Sequence, residues 1–202
     1  MKRLLVIPFI FLCCGGGDQR PLPSTTTTKE SRISKSVLIV IAPKDFRDEE
    51  FKEPYELLTN SGIKVVVAST DTSPSKGMLG MVVKPQTLLE AVEPESFDAI
   101  VVIGGTGCQV LWNNETLHKI IKKFDEKKKT IGAICIAPVV LARAGILKDK
   151  KATVYPGVAE EIIPLCANYT TAELQVSEHV ITASGPKAAK DFAKAILEAI
   201  SK

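Results

Sequence analysis

The sequence predicts a doubly wound α/β domain, in which a parallel sheet carries helices on both faces. Apolar runs with the length of one strand recur at 36–42, 63–69, 97–105 and 130–134. Such unbroken runs are typical of strands that are covered on both faces. Segments with apolar residues at helical spacing separate most of these runs, as expected for parallel strands joined by helices.

The elements between and after these strands follow from spacing and turn residues. They are predicted to be a helix that ends near Gly62, a small hairpin outside the main sheet within 70–97, a helix over 115–128, a helix that follows Cys135 and closes near Gly145, a short strand at 152–155, a hairpin over 172–184 that turns at Ser177–Glu178, and a final helix with Pro186 in its first turn.

Length and composition favour one soluble domain. The chain has 202 residues, of which 45% are hydrophobic, so it is long enough for one well-buried core and short for two. The formal net charge is only +3, which gives no electrostatic reason to expect nucleic-acid binding. No pair of cysteines or histidines has the spacing of zinc ligands, so neither a metal nor another cofactor is expected.

The first fourteen residues have the layout of a secretory signal. Two cations precede an apolar stretch that is too short to span a bilayer, and Cys13 and Cys14 follow. This segment resembles a bacterial lipoprotein signal, in which a cysteine after the apolar run receives lipid. We predict lipidation at Cys14, with Cys13 as the other possible site.

Residues 15–35 are polar and rich in Gly, Pro and Thr, so they are predicted to form a flexible tether. The folded domain is predicted to span 36–202. A lipid anchor would place this domain at the bacterial cell envelope, in contact with the membrane through the lipid only. The alternative is a cytoplasmic protein with a misassigned start.

Cys135 follows the strand at 130–134 and precedes a helical pattern. A sharp strand-to-helix turn exposes a side chain at the sheet edge, as in nucleophile elbows. A helix N-terminus also stabilises a thiolate, which predicts a depressed pKa for Cys135. Cys108 and Cys166 are predicted to be small, inert, buried residues, and the sequence does not show whether they form a disulfide with each other.

Acidic and glycine-rich loops follow two other strands of the predicted sheet. One carboxyl of the loop 44–51 could face the elbow, lose its hydration and hold a proton that it donates to sulfur. The glycines at 104–107 fit a tight turn, and they would also let backbone N–H groups approach an oxyanion. The two histidines, His118 and His179, are not placed at strand ends, so a Cys-His-Asp triad is poorly supported.

Five segments carry a resemblance to a known family. They are VLIVIAPKDFRDEEFKEPYELLTNSGIKVVVAS, FDAIVVIGGTG, GAICIAPVVLARAGIL, KATVYPG and ITASGPKAAKDFAKAILEAI. In sequence and order they resemble the ThiJ/PfpI family, also called the DJ-one family, of the class I glutamine-amidotransferase-like superfamily. The resemblance covers 36–202 and implies a flavodoxin-like three-layer sandwich and a homodimer.

The resemblance also implies a set of site residues. The reactive cysteine of the family falls on Cys135, and its protonated glutamate falls on Glu50, with Glu49 as the nearest rival. The backbone donors near the thiol fall on Gly105 and Ile136. Residues predicted to line the same site are Gly104, Thr106 and Tyr155.

Two departures from the family pattern bear on function. The peptidase-like branch has histidine directly after the cysteine, where this chain has Ile136, and another branch has histidine where this chain has Tyr155. Both departures argue against proteolysis. The activity that the resemblance implies is glyoxalase or deglycase chemistry on small reactive carbonyls. The alternative is a non-catalytic redox-sensing or chaperone-like protein that works through oxidation of Cys135, and a cysteine peptidase is a distant third.

Overall fold

The computed structural model describes residues 35–202. The predicted lipoprotein signal with Cys13 and Cys14, and nearly all of the predicted tether, lie outside these residues. Within 35–202, no helix has both the length and the apolar character needed to cross a membrane.

The described residues form twelve strands and four α-helices. The strands are β1 (Ser36–Val40), β2 (Lys44–Phe46), β3 (Lys64–Ser69), β4 (Ser75–Gly77), β5 (Val82–Val83), β6 (Thr87–Leu88), β7 (Ala99–Val102), β8 (Thr130–Ile134), β9 (Lys151–Ala152), β10 (Asn168–Tyr169), β11 (Leu174–Ser177) and β12 (Val180–Ala183). The helices are α1 (Asp48–Asn60), α2 (Glu115–Glu126), α3 (Pro138–Arg143) and α4 (Ala189–Ile200).

The main sheet has seven strands in the order β11-β12-β8-β7-β1-β3-β6. All of its pairings are parallel except β11 with β12, which form the predicted hairpin. Helices cover both faces of this sheet, with α1 against α4 and α2 against α3. The predicted flavodoxin-like three-layer sandwich is confirmed.

The central strands are buried because helices pack closely on them. Every residue of β7 and β8 is buried, as the unbroken apolar runs predict. Gly132 in β8 allows α4 to approach: a Cβ atom at this position would lie 2.5 Å from Cδ1 of Ile196 and 2.9 Å from Cζ of Phe192. The close fit packs α4 against β8, the strand that Cys135 follows.

A second, three-stranded sheet forms outside the main one. The hairpin β4–β5 is antiparallel, as predicted for 70–97, and β2 pairs in parallel with β4. The Asp48 carboxylate holds the hairpin turn, because it accepts hydrogen bonds from the N–H groups of Leu79 (2.8 Å) and Met81 (2.7 Å). The start of α1 is thereby tied to this hairpin.

Four predicted elements differ in length or place. The final helix, α4, begins at Ala189, so Pro186 lies in a short 3₁₀ turn before it and not in its first turn. The strand predicted at 152–155 ends at Ala152, because Thr153 N–H donates to the Thr182 hydroxyl (3.0 Å) and not to a strand backbone. The helix predicted after Cys135 is short, since α3 begins only at Pro138 and ends at Arg143. The segment 70–97 also supplies β6 to the edge of the main sheet, which the sequence pattern did not predict.

Candidate active site

Cys135 lies at a strained turn directly after β8. Its φ angle is 62°, in the left-handed region that non-glycine residues rarely adopt. Its N–H donates to the Ala183 carbonyl (2.8 Å), and its carbonyl accepts from the Tyr155 N–H (2.8 Å). Neighbouring strands and loops therefore hold the strained conformation in place, and such held strain is concentrated at functional sites.

Glu50 is a buried carboxyl group beside this cysteine. It lies in the first turn of α1, it has no exposed surface, and neither of its carboxyl oxygens has a hydrogen-bond partner of good geometry within residues 35–202. Burial raises the pKa of Glu50 to about 8, although the Cys135 thiol and the Arg47 charge act in the opposite direction. At neutral pH the carboxyl is therefore protonated.

Gly104 is the point at which Glu50 and Cys135 meet. A Cβ atom at Gly104 would lie 2.6 Å from Cβ of Cys135 and 2.7 Å from Oε2 of Glu50. The Gly104 carbonyl in turn accepts a hydrogen bond from the Arg47 N–H (3.1 Å), which fixes the loop before α1. The absence of a side chain at Gly104 is what lets the carboxyl and the thiol come together.

Gly105 has a related role on the other side of the turn. Its φ angle is +95°, and a Cβ atom there would lie 2.4 Å from both the Arg47 nitrogen and the Asp45 oxygen. Only glycine fits both the conformation and the space. The glycine-rich loop thus forms a tight turn and also brings a backbone N–H toward Cys135.

The pKa of Cys135 is raised, so the predicted depression is wrong. Burial raises it to about 12, and the nearby Glu50 carboxylate raises it further, while the N–H groups of Gly105 and Ile136 lower it. The helix dipole is weak here because α3 spans only six residues and begins at Pro138, three positions beyond the thiol. Burial therefore outweighs the helix N-terminus.

Glu50 and Cys135 titrate as a pair. Removing the first proton leaves one proton and one negative charge for the two groups. When that proton stays on Glu50, the carboxyl donates to a thiolate, and the N–H groups of Gly105 and Ile136 face the sulfur charge. Because the pKa is about 8 for Glu50 and about 12 for Cys135, the first proton leaves mainly from Glu50, and the thiolate beside a protonated Glu50 is the minor, reactive form of the singly charged pair.

A cavity of about 300 Å³ opens onto the thiol. This is the lower end of the range for ligand cavities. Its lining residues are Arg47, Glu50, Met78, Gly105, Thr106, Cys135, Ile136, Tyr155 and Pro186. A larger groove of about 430 Å³ beside α1 contains neither Cys135 nor Glu50. The structure thus brings the sequence-predicted site residues to one cavity, with Gly104 directly behind it.

The histidines and the rival glutamate lie elsewhere. His118 Nε2 is 2.9 Å from the Trp112 carbonyl, and His179 Nε2 is 2.7 Å from Asp125. Glu49 forms a bidentate pair with Arg47 (2.8 and 3.1 Å). No histidine lines the cavity among the described residues, so an imidazole is not in place to act as a base.

Four residues at or beside the site were not predicted from the sequence. Arg47, Met78 and Pro186 line the cavity. Trp112 lies behind the elbow, where its indole N–H donates to the Ile136 carbonyl (3.2 Å). Arg47 is next to the acidic residues of its loop, which is a usable signal, whereas the positions of the other three depend on long-range packing.

Within residues 35–202, the two cysteines other than Cys135 are free. Cys108 is fully buried and Cys166 is half-buried, and neither forms a disulfide within the described residues. Burial raises the pKa of both thiols. Within the same residues, no group of three or more His, Cys, Asp or Glu side chains is placed to hold a metal ion.

Comparison with known proteins identifies the family. The model of the DJ-1/PfpI family matches residues 35–199. The chain belongs to the DJ-1/PfpI family. A DJ-1/PfpI relative, an uncharacterised protein of Methanocaldococcus jannaschii, is 42% identical in an alignment of 205 positions. The alignment covers all of this chain and 98% of that protein.

Relatives with a named activity match the domain. The glutathione-independent glyoxalase DJR-1.2 of Caenorhabditis elegans is 31% identical over 82% of this chain and 89% of its own length. The deglycase PH1704 of Pyrococcus horikoshii is 30% identical over 74% of this chain and 90% of its own length. The solved ThiJ/PfpI domain protein of Brachyspira murdochii has a TM-score of 0.81 at 30% identity, covering 83% of this chain and 97% of that one.

Proposed function

We propose that this DJ-1/PfpI protein is a cysteine-dependent enzyme that converts small reactive carbonyls, with methylglyoxal as the type substrate, to hydroxy acids. The observation that carries the proposal is the buried, protonated Glu50 against Cys135 at the end of a cavity. Burying a carboxyl group is costly, which favours a role in proton transfer over a structural one. The relatives named glyoxalase and deglycase support the choice of substrate class.

The proposed reaction uses the pair in three steps. The Cys135 thiolate adds to the aldehyde carbon, a C–S bond forms, and the carbonyl oxygen takes the proton of Glu50. Glu50, now a carboxylate, removes the proton from this carbon and returns it to the adjacent ketone carbon, while the new hydroxyl group loses its proton and the ketone oxygen gains one. The product is a thioester of lactate. Water then hydrolyses the C–S bond, so methylglyoxal and one water give lactate and the free thiol. The N–H groups of Gly105 and Ile136 support the oxyanions of these steps.

The test is methylglyoxal consumption by the intact chain without added glutathione. Consumption that depends on both Cys135 and Glu50 supports the proposal. Consumption that is equal for the wild-type protein and a Cys135→Ala variant contradicts it.

Redox sensing is the second candidate function. A solved relative, DJ-1 of Toxoplasma gondii, is 31% identical with a TM-score of 0.73 over 82% of this chain, and it was solved in an oxidised form. In this alternative, Glu50 stabilises an oxidised Cys135 without turnover. A cysteine peptidase has less support, although one relative, YraA of Bacillus subtilis, is named a putative cysteine protease, because Ile136 follows the cysteine and no histidine lines the described cavity.

Shortening the Glu50 side chain tests whether this carboxyl group stabilises an oxidised Cys135. If Glu50 donates to an oxidised sulfur, Glu50→Asp is expected to lower the yield of Cys135 sulfinate at a fixed peroxide dose, because the shorter chain does not reach the sulfur. Intact-mass spectra after peroxide treatment give the yields. Equal sulfinate yields in both proteins, with Glu49→Asp as the control, would exclude Glu50 as the partner.

A methyl group at Gly104 is expected to separate the pair. Gly104→Ala inserts a Cβ atom that overlaps both Cys135 and Glu50, and a misplacement of this kind costs about 100-fold in kcat/KM. Steady-state turnover of methylglyoxal gives the effect. Gly62→Ala is the control, because its Cβ atom would meet nothing within 4 Å; this variant should lose stability and keep turnover. Wild-type turnover in Gly104→Ala would contradict the geometry.

Homodimer formation and location complete the proposal. Exposed apolar side chains on the β4–β5 hairpin, Leu79 and Val82, support the dimer that the family resemblance implies. For the location, the lipid anchor at Cys14 and the cytoplasmic alternative are the two proposals, and they predict different cell fractions.

Fractionation of the full chain expressed in a bacterium tests the location. If Cys14 carries lipid, the protein is expected in the membrane fraction, and Cys14→Ala moves it out because the acyl chains are lost. The molecular mass of the protein in the detergent-free fraction, measured by sedimentation, shows whether it is a dimer. Unprocessed wild-type chain in the soluble fraction would show that residues 1–14 are no lipoprotein signal.

A further inference from the structure

Trp112 connects the two segments that supply backbone donors to the reactive sulfur. Gly105, which has one of these N–H groups, precedes the 3₁₀ helix Thr106–Leu111, and Trp112 follows the last residue of that helix. Ile136, which has the other N–H group, lies after β8. The Trp112 indole N–H donates to the Ile136 carbonyl (3.2 Å), so one side chain bridges the segments that follow the neighbouring strands β7 and β8.

This contact helps to set the direction of the Ile136 N–H group. The Cys135–Ile136 peptide is planar, and its carbonyl accepts from the Tyr155 N–H (2.8 Å). The next peptide carries the carbonyl that Trp112 holds. Fixing both peptides fixes Ile136, because only two soft backbone angles lie between them. A second donor to the same carbonyl, the Val139 N–H (3.3 Å), belongs to the elbow segment itself and moves with it.

The Trp112 ring is in turn held by α3 and the chain beyond it. The Arg143 guanidinium carbon lies 5.0 Å from the centre of the indole ring, a distance at which a cation and an aromatic face attract each other. The same guanidinium donates to the Asn113 side-chain oxygen (2.7 Å) and to the Glu161 carboxylate (2.7 Å). Arg143 is the last residue of α3, so the helix after the elbow is tied to the loop that carries Trp112.

Packing alone does not account for the hydrogen bond to the elbow. Trp112 is only half-buried, so water would satisfy its N–H group if the ring served only to fill space. The acceptor is instead the backbone of Ile136, a residue that lines the cavity and whose own N–H faces the sulfur. Supporting contacts of this kind hold reactive groups in their productive geometry.

We propose that Trp112 is a positioning residue, whose indole N–H holds the elbow so that the Ile136 N–H points at the Cys135 sulfur. Arg143 and Glu161 keep the indole ring in place. The inference deepens the proposed function, and its effect on turnover rests on that function.

The consequence is a change in how much thiolate forms. A poorly directed N–H leaves the sulfur charge less stabilised, so a smaller share of the singly charged Glu50–Cys135 pair carries that charge on sulfur. The pH at which the pair loses its first proton stays the same, because burial of Glu50 sets it near pH 8. The proposed role therefore predicts slower thiolate reactions at an unchanged midpoint in pH.

The test is the rate of Cys135 alkylation by iodoacetamide in the intact chain, measured at pH values on either side of pH 8 and assigned by peptide mapping. Trp112 is the only tryptophan of the chain, so growth on benzothienylalanine replaces the indole N–H with sulfur at this residue alone. We expect the rate on the alkaline plateau to fall about three- to tenfold, the contribution of one hydrogen bond. Trp112→Phe removes the same N–H and should lower the rate at least as much.

The hold on the ring is tested in the same assay. Glu161→Gln weakens the contact with Arg143 and should lower the plateau rate about two- to threefold, the size of an exposed charge pair. Asp191→Asn, which breaks an exposed pair with Lys194 (3.0 Å) on α4, is the matched control and should react as the wild type does.

A purely structural role for Trp112 gives a different profile. Loosened packing would let water reach Glu50, and the midpoint would then move from pH 8 toward the ordinary carboxyl value. Such a shift, or a plateau rate equal to that of the wild type in the benzothienylalanine protein, would overturn the proposal. Alkylation needs no turnover, so failure of the wild-type protein to consume methylglyoxal would overturn the proposed function without deciding this test.

Discussion

Replacing Cys135 with alanine is expected to lower kcat/KM for methylglyoxal by at least about 1,000-fold, because the sulfur forms the covalent intermediate. Serine is expected to be nearly as inactive, since burial opposes formation of an alkoxide even more than of a thiolate. The fold should persist, because alanine and cysteine meet the same backbone strain at φ 62°. Thermal unfolding and steady-state kinetics on the same samples give both results.

Cys108 and Cys166, which are free in the described part of the chain, are the controls for this experiment. Cys166→Ala changes a half-buried thiol that does not line the cavity, and it should keep wild-type turnover. Cys108 lies close behind the site, so the turnover of Cys108→Ala shows whether a change in packing there affects activity indirectly. Loss of turnover in Cys166→Ala, or retention in Cys135→Ala, would assign the chemistry to a different group.

Replacing Glu50 with glutamine is expected to remove most of the fall in stability with rising pH. The pKa of Glu50 in the folded protein is about 8, against an ordinary value of 4.5. Between these values the folded state holds a proton that the unfolded state has released, so stability falls as pH rises. For the wild type this contribution is about 3.5 kcal/mol between pH 5 and pH 8.

Denaturant unfolding at pH 5 and pH 8 measures the effect as the change in the free energy of unfolding. Glutamine does not titrate, so Glu50→Gln should lose much less stability between these pH values, whatever its stability at pH 5. Glu49→Gln is the control, because Glu49 is paired with Arg47 at the surface. Parallel pH dependences for the wild type and Glu50→Gln would mean that Glu50 is ionised at neutral pH.

Glu50→Gln should also lower methylglyoxal turnover, since an amide donates a hydrogen bond but does not take up the substrate proton. We expect a loss of about 100- to 10,000-fold in kcat, the usual contribution of a general acid or base. A variant that is more stable at pH 8 and nearly inactive would show that the buried carboxyl is kept for function at a cost in stability.

The sequence predicted the elements whose patterns are local and strong. The buried runs became β1, β3, β7 and β8, and the turn at Ser177–Glu178 closed the β11–β12 hairpin. Segments with a weak or short pattern were harder to predict from the sequence. β6 has only two residues, and Thr153 leaves the strand because a distant hydroxyl of Thr182 satisfies its N–H.

The site divides in the same way. Cys135 and the glycines of the loop after β7 could be predicted because a strand-to-helix junction and glycine have local signatures, and the family resemblance selected Glu50. The raised pKa of Cys135 could not be predicted, because it depends on how deeply the thiol and Glu50 are buried together. Met78, Trp112 and Pro186 reach the elbow through tertiary packing alone, which no spacing in the sequence encodes.

The most direct measurement of the central claim is lactate formed from methylglyoxal by the intact wild-type chain, with no glutathione and with a chelator present. The account predicts one lactate for each methylglyoxal consumed, at a rate that rises with pH as the Glu50–Cys135 pair loses its first proton near pH 8. Consumption of methylglyoxal without lactate, or lactate at the rate of Cys135→Ala, would contradict it.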